Sequence, residues 1–125
     1  MIVYLDTHLV LWLYAGRADL ISEKASKAID ENDLYLSPIV ELELQFLKDI
    51  KKIRENPPRI INTLQKNIGL KICGKDFYAI VKEASRFHWT RDPFDRILVA
   101  QASLNDNPLL TKDGDIKAHY HHVIW

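Results

Sequence analysis

Two aspartates three residues apart frame a proline and a phenylalanine in Asp92-Pro93-Phe94-Asp95-Arg96, and the apolar run Ile97-Leu98-Val99-Ala100-Gln101-Ala102 follows at once. The segment reads as the start of a helix. Proline is preset for the first helical turn and loses no donor that the helix needs there. Asp92 has the place and chemistry of an N-cap, and Asp95 falls in the first turn, where the helix dipole favours negative charge. Capping alone accounts for Asp92. Asp95 becomes a chemical group if carboxylates from elsewhere meet it, and three regions supply them: Asp6, Asp113, and the pair Glu41 and Glu43. Clustered carboxylates raise one another's pKa, a cost that a divalent cation relieves. An all-oxygen donor set suits Mg2+ or Mn2+ rather than zinc. A cation so held can activate water and stabilise charge on a phosphate in flight. The chemistry on offer is hydrolysis of a phosphodiester without a protein nucleophile.

The elements that must position these residues follow from apolar runs and breakers. Residues 2–5 read as a buried strand, and 33–36, 70–73 and 108–111 as further strands, with 122–125 as a fifth. Helices are expected over 8–15, capped by Asp6 or Thr7 and stopped by Gly16, and over 22–31, capped by Ser22. A long helix is expected from Ser37-Pro38 through about residue 54, with Ser37 as N-cap and Pro38 as first helical residue. Pro57-Pro58 then break the chain, and further helices are expected over 59–67, 76–87 and 93–104. Strands alternating with helices define an α/β domain on a mostly parallel sheet of four to five strands. In such sheets ligands bind beyond the carboxyl ends of the strands, where strand order reverses. Asp6 ends the first strand, Asp113 lies just past the fourth, and Asp95 heads the helix leading into the fourth, so all three can reach one rim. Glu41 and Glu43 stand about 200° apart round their helix and cannot both face it. Asp115 reads as a cap or a solvated turn residue. Lys48, Lys51, Lys52 and Arg54 read as a solvated helix face, or alternatively as a track for RNA phosphates.

Bulk properties narrow the choice. A chain of 125 residues, 47% apolar and 27% charged, suits one globular domain over residues 1–125. The balance of 17 basic and 17 acidic residues argues against a strongly basic, non-specific nucleic-acid binder. With four acids neutralised by cations, however, the remaining surface would be net basic and would admit a polyanion. No apolar run is long enough to span a bilayer, no secretion signal is legible at the N-terminus, and the one cysteine, Cys73, excludes an internal disulfide. The expectation is a cytoplasmic protein with no membrane segment. Several features read as decoys. Gly69 to Lys75 has the spacing of a phosphate-binding loop, but Asp76 follows where Ser or Thr belongs. Asp6-Thr7-His8 lacks the second aspartate of a haloacid-dehalogenase-type phosphatase. His119, His121 and His122 could ligate a soft metal, but without a cysteine beside them they read as edge-strand or surface residues. His88 has no acid–base partner in sequence, and Cys73, in an apolar strand, reads as an inert thiol.

The motifs together resemble a known family. Leu5-Asp6-Thr7-His8-Leu9-Val10-Leu11-Trp12, then Leu36-Ser37-Pro38-Ile39 with Glu43, then Arg91 to Ala102, then Leu109-Leu110-Thr111-Lys112-Asp113 are similar, in order, to the four motifs of PIN-domain proteins of the VapC toxin branch. The resemblance runs nearly end to end. It implies a three-layer α/β/α fold and a metal-dependent endoribonuclease, the toxin of a type II toxin–antitoxin pair. It carries an acidic quartet onto Asp6, Glu43, Asp95 and Asp113 as catalytic residues and ligands of Mg2+ or Mn2+, and selects Glu43 over Glu41. Thr111 and Thr7 match polar positions near the metals, and Asp92 an acid outside the quartet, in keeping with a cap. The chain departs from the pattern at His88-Trp89-Thr90-Arg91, where the branch often has a histidine closer to the Asp-Pro-Phe-Asp. The resemblance also implies an RNA substrate, a cognate antitoxin and a homodimer, and the apolar segment Leu9 to Tyr14 is compatible with a partner groove. Two other readings remain open at this point: a non-catalytic binding module on the same fold, and a nuclease without an antitoxin that acts on RNA or DNA.

Overall fold

The computed structural model describes residues 1–125. Five strands, β1 (Ile2–Leu5), β2 (Asp33–Leu36), β3 (Lys71–Ile72), β4 (Leu109–Leu110) and β5 (Val123–Ile124), form one sheet in the order β3-β2-β1-β4-β5. Every pairing is parallel, with Val3 opposite Leu34 and Leu5 opposite Leu110. Seven α-helices connect and flank the strands: α1 (Thr7–Tyr14), α2 (Glu23–Glu31), α3 (Ile39–Asp49), α4 (Pro57–Ile68), α5 (Phe77–Ala84), α6 (Pro93–Ser103) and α7 (Gly114–His119). Successive residues Val3, Tyr4 and Leu5 are all buried, as are Leu109 and Leu110. Both faces of the central strands are therefore covered, which is why these strands lack the apolar–polar alternation of a half-exposed sheet. The architecture is the three-layer α/β/α domain expected from the sequence.

Local chemistry sets the helix boundaries. Ser22 caps α2, its Oγ accepting from Ala25 N at 3.1 Å. Gly16 ends α1 in the left-handed region at φ 70°, with Arg17 N bonded back to Trp12 O. Pro57 and Pro58 do not merely break the chain. They occupy the first turn of α4, so that helix starts two residues before the expected position. The helix expected to run from 37 to about 54 stops at Asp49. Lys51 takes φ 63° there, and Lys52 N bonds Leu47 O while Lys51 N bonds Lys48 O. This is the closure normally assigned to glycine, made here by a lysine, so no glycine marks the stop. Strand β3 is shorter than expected, and α7 was not anticipated, because residues 113–115 read as a turn.

The core is one cluster of 22 buried residues around the central strands, with a small satellite of Ile80, Ala84 and Ala100 between α5 and α6. Helix α1 is absorbed into it. Leu9 and Val10 are buried, and Leu11, Trp12, Leu13 and Tyr14 pack against the main cluster. Part of the apolar circumference of α1 is covered by the protein itself, in part by Trp125, whose ring lies 5.8 Å from that of Trp12, while Leu11 to Tyr14 stay partly exposed. The most exposed large apolar residues lie at the start of the chain (Met1), on α3 (Leu42, Phe46), just past its end (Ile50), on β3 (Ile72) and on α5 (Phe77, Tyr78). No helix is long and apolar enough to cross a membrane.

Two of the left-handed helix ends, Gly69 after α4 and Lys51 after α3, give a paired test. At Gly69, φ 68°, a Cβ would meet nothing within 4 Å, so only backbone strain opposes a side chain. Gly69→Ala is expected to lower stability by about 1 kcal/mol, and Lys51→Gly to raise it by a few tenths to about 1 kcal/mol. Urea denaturation of the two variants checks both signs.

Candidate active site

Strand order reverses between β1 and β4: the chain builds β2 and β3 on one side of β1 and then places β4 on the other. Asp6 leaves the end of β1 at this crevice, and Thr111 leaves the end of β4 beside it. Asp6 is buried, and both carboxylate oxygens are engaged. Oδ1 accepts from Leu9 N at 2.8 Å, capping α1, and Oδ2 accepts from the Thr111 hydroxyl. Burial raises the Asp6 pKa and outweighs the bonds from Thr111 and Leu9, which favour the charged form. His8 acts with those bonds and Asp113 against them.

Thr7, the first residue of α1, donates its hydroxyl to Glu43 Oε1 on α3. Glu43 is partly buried, and its pKa is raised, first by burial and then by Asp92 and Asp6, against the Thr7 bond and His8. Glu41, by contrast, is exposed and lines a different hollow with Pro38, Ile61 and Gln65. The 200° between the two glutamates decides which one meets the aspartates.

Asp92 and Asp95 divide as the helix start suggested. Asp92 caps α6, accepting from Phe94 N at 2.8 Å, and is exposed. Asp95, in the first turn, is partly buried and pushed up to about 7, by burial first and then by Asp92, Asp113, Glu43 and Asp6. Asp113 caps α7 through bonds from Asp115 N and Ile116 N, while its own backbone N–H donates to Thr111. Three aspartates, Asp6, Asp92 and Asp113, therefore stand at three helix N-termini, each in reach of helix-end donors.

Asp95 feels the charge of Asp92, Asp113, Glu43 and Asp6, Glu43 that of Asp92 and Asp6, and Asp6 that of Asp113. No three of them bring their oxygens within 4.8 Å of one another. Such spacing suits a cation that keeps part of its water shell and takes one or two carboxylates directly, the habit of Mg2+. The oxygen-only donor set fits the same class of ion. Sequence reasoning passed over His8. It stands two residues beyond Asp6 on the first turn of α1, and its charge favours the ionised forms of Asp6 and Glu43. Its position just inside a helix headed by Asp6 was the available signal.

The PIN domain model matches residues 3–121. The chain belongs to the PIN domain family. Three solved structures share the fold of this PIN domain. VapBC2 from Rickettsia felis, bound to a DNA fragment from their promoter, has a TM-score of 0.65 at 16% identity, covering 94% of this chain and 92% of that one. A toxin–antitoxin complex from Klebsiella pneumoniae gives 0.69 at 20% identity, covering 98% and 96%. VapBC-1 from nontypeable Haemophilus influenzae gives 0.55 at 18%, covering 90% and 87%. At these identities the likeness is one of fold. No curated protein matches the sequence significantly.

The crowding of charge makes a stability prediction. Between the ordinary aspartate value and about 7, folded Asp95 holds a proton that the unfolded chain has released. Its contribution therefore favours the folded state at low pH and is lost as pH rises through about 7. In chelator, the urea midpoint is expected to fall from about pH 5 to about pH 8, and Asp95→Asn to flatten that fall. An unchanged slope in the variant would remove Asp95 from the cluster.

Proposed function

We propose that this PIN domain is a Mg2+- or Mn2+-dependent endoribonuclease and the toxin of a type II toxin–antitoxin pair. What supports the reading is geometry: Thr111 links Asp6 to the backbone of Asp113, Thr7 bonds Glu43, and Asp95 lies in the first turn of α6, four segments that meet the carboxyl side of a parallel sheet. On this reading the four are the catalytic acids that hold the cation, one or two of them directly and the others through its water shell. When bound, the cation supplies Lewis acidity and a water of lowered pKa.

The chain's own residues fix the rest. Thr111 and Leu9 N hold the Asp6 carboxylate in one orientation, and Thr7 holds Glu43, which serves as ligand or as the base that orients water. Asp92 anchors the start of α6 and so sets where Asp95 points. Lys48, Lys51, Lys52 and Arg54, at and beyond the end of α3, offer contacts to RNA phosphates. The toxin reading is supported by the solved complexes of like fold, which are described as toxin–antitoxin or VapBC assemblies. It brings with it a cognate antitoxin, cytoplasmic work where the RNA is, and a homodimer, for which exposed Leu42, Phe46, Phe77 and Tyr78 offer apolar surface.

Incubation of the purified protein with RNA tests the reading. Cleavage is expected with Mg2+ or Mn2+, to vanish in EDTA, and to fall by roughly a hundred-fold or more in Asp6→Asn and Asp95→Asn. Cleavage that survives EDTA, or persists in Asp6→Asn, overturns it. Equal cutting of single-stranded DNA overturns the assignment of RNA as substrate.

A further inference from the structure

The rim opposite the acids carries its own cluster of metal-ligating side chains. Asp106 lies in the turn before β4, and His121 and His122 lie immediately before β5, so the amino ends of two adjacent parallel strands bring them together. One carboxylate oxygen of Asp106 and one ring nitrogen from each histidine lie within 4.8 Å of one another. His121 Nε2 is 2.8 Å from Asp106 Oδ1, and His122 Nδ1 is 3.6 Å from the same oxygen. Ligand atoms round a tetrahedral zinc, at about 2.0–2.2 Å from the metal, stand roughly 3.3 Å apart. The two distances fall on either side of that edge length.

We propose that Asp106, His121 and His122 form a second cation site, separate from the acidic rim and suited to a borderline transition ion of the zinc class. An ion pair with Asp106 needs a single imidazole. Two imidazoles that converge on one carboxylate oxygen make a mixed nitrogen and oxygen donor set, which suits Zn2+ and its neighbours and not Mg2+. The backbone beneath the triad is already fixed. His122 O accepts from Leu109 N at 2.9 Å, and Asp106 N donates to Ser103 O at 3.0 Å. Buried Tyr120, next to His121, donates its hydroxyl to Asn107 O at 2.7 Å. Asp106 itself sits at φ 51°, in the left-handed region that aspartate tolerates better than most residues. Binding costs the His122 Nδ1 hydrogen bond to the Asp106 carbonyl, while the His121 ring and the Asp106 carboxylate are both exposed and already in contact. His119 takes no part, since its ring stacks on Trp89 at 4.9 Å. Three protein ligands leave one position open to water. An ion here would tie the turn before β5 to the turn before β4, clamping a two-residue edge strand whose one strand partner is β4.

Zn2+ alone is the probe, titrated calorimetrically into chelator-stripped full-length protein in excess Mg2+, which keeps the acidic rim occupied. One equivalent is expected to bind and to raise the melting temperature. His121→Gln and Asp106→Asn are each expected to weaken binding roughly ten- to a hundred-fold, while Asp6→Asn leaves it unchanged. Circular dichroism establishes that each variant is folded, and His122→Gln replaces either one that is not. Absence of Zn2+ uptake overturns the proposal, as does uptake that persists in the triad variants or disappears in Asp6→Asn.

Discussion

The carboxylate of Asp6 is the constraint on which the site depends. One of its oxygens starts α1, and the other accepts the hydroxyl of Thr111 across the crevice where the sheet reverses its order. A single buried group thereby fixes the end of β1, the head of α1 and the end of β4. A buried carboxylate is costly unless its oxygens are bonded, and here the bonds that satisfy it are also those that define the rim. Thr7, the next residue, extends the arrangement by bonding Glu43 and drawing α3 to the same place. Asp113 joins the same junction, its backbone N–H donating to the Thr111 hydroxyl oxygen.

The same junction explains how so much negative charge is tolerated. Helix N-termini point at the rim from α1, α6 and α7, each headed by an aspartate that takes up the free backbone donors. The positive ends of these helices offset part of the repulsion among the acids. Asp95 stands outside that arrangement: it heads no helix, and burial and four neighbouring carboxylates all act on it in one direction. Caps and a first-turn acid thus differ in the backbone donors they accept, although they are chemically alike and, in Asp92 and Asp95, three residues apart.

Much of this was legible because it is local. Pro93 after Asp92 announces a helix start, the apolar run of residues 2–5 announces the buried first strand, and strand ends locate Asp6 and Asp113. The spacing of Glu41 and Glu43 shows that only one can face the rim, while the resemblance to PIN domains named which. What was illegible depends on backbone geometry or on distant contacts. Lys51 adopts a left-handed turn normally marked by glycine, so the end of α3 left no mark. Helix α7 is six residues long and opens on Asp113-Gly114-Asp115, which by composition is a turn. The apolar circumference of α1 suggested an open face, yet Trp125, at the far end of the chain, helps to cover it. The meeting of Asp106 with His121 and His122 follows from β4 pairing with β5, which no local pattern encodes.

The triple capping has a genetic corollary. Asparagine is as good a helix cap as aspartate, and its amide oxygen can accept the same backbone bonds at positions 6, 92 and 113. An aspartate codon becomes an asparagine codon by one G-to-A transition. Loss of negative charge at this rim is therefore one nucleotide away at each cap while the helices keep their starts. A population carrying this gene can pass to a folded version of the site with less negative charge without passing through a misfolded one.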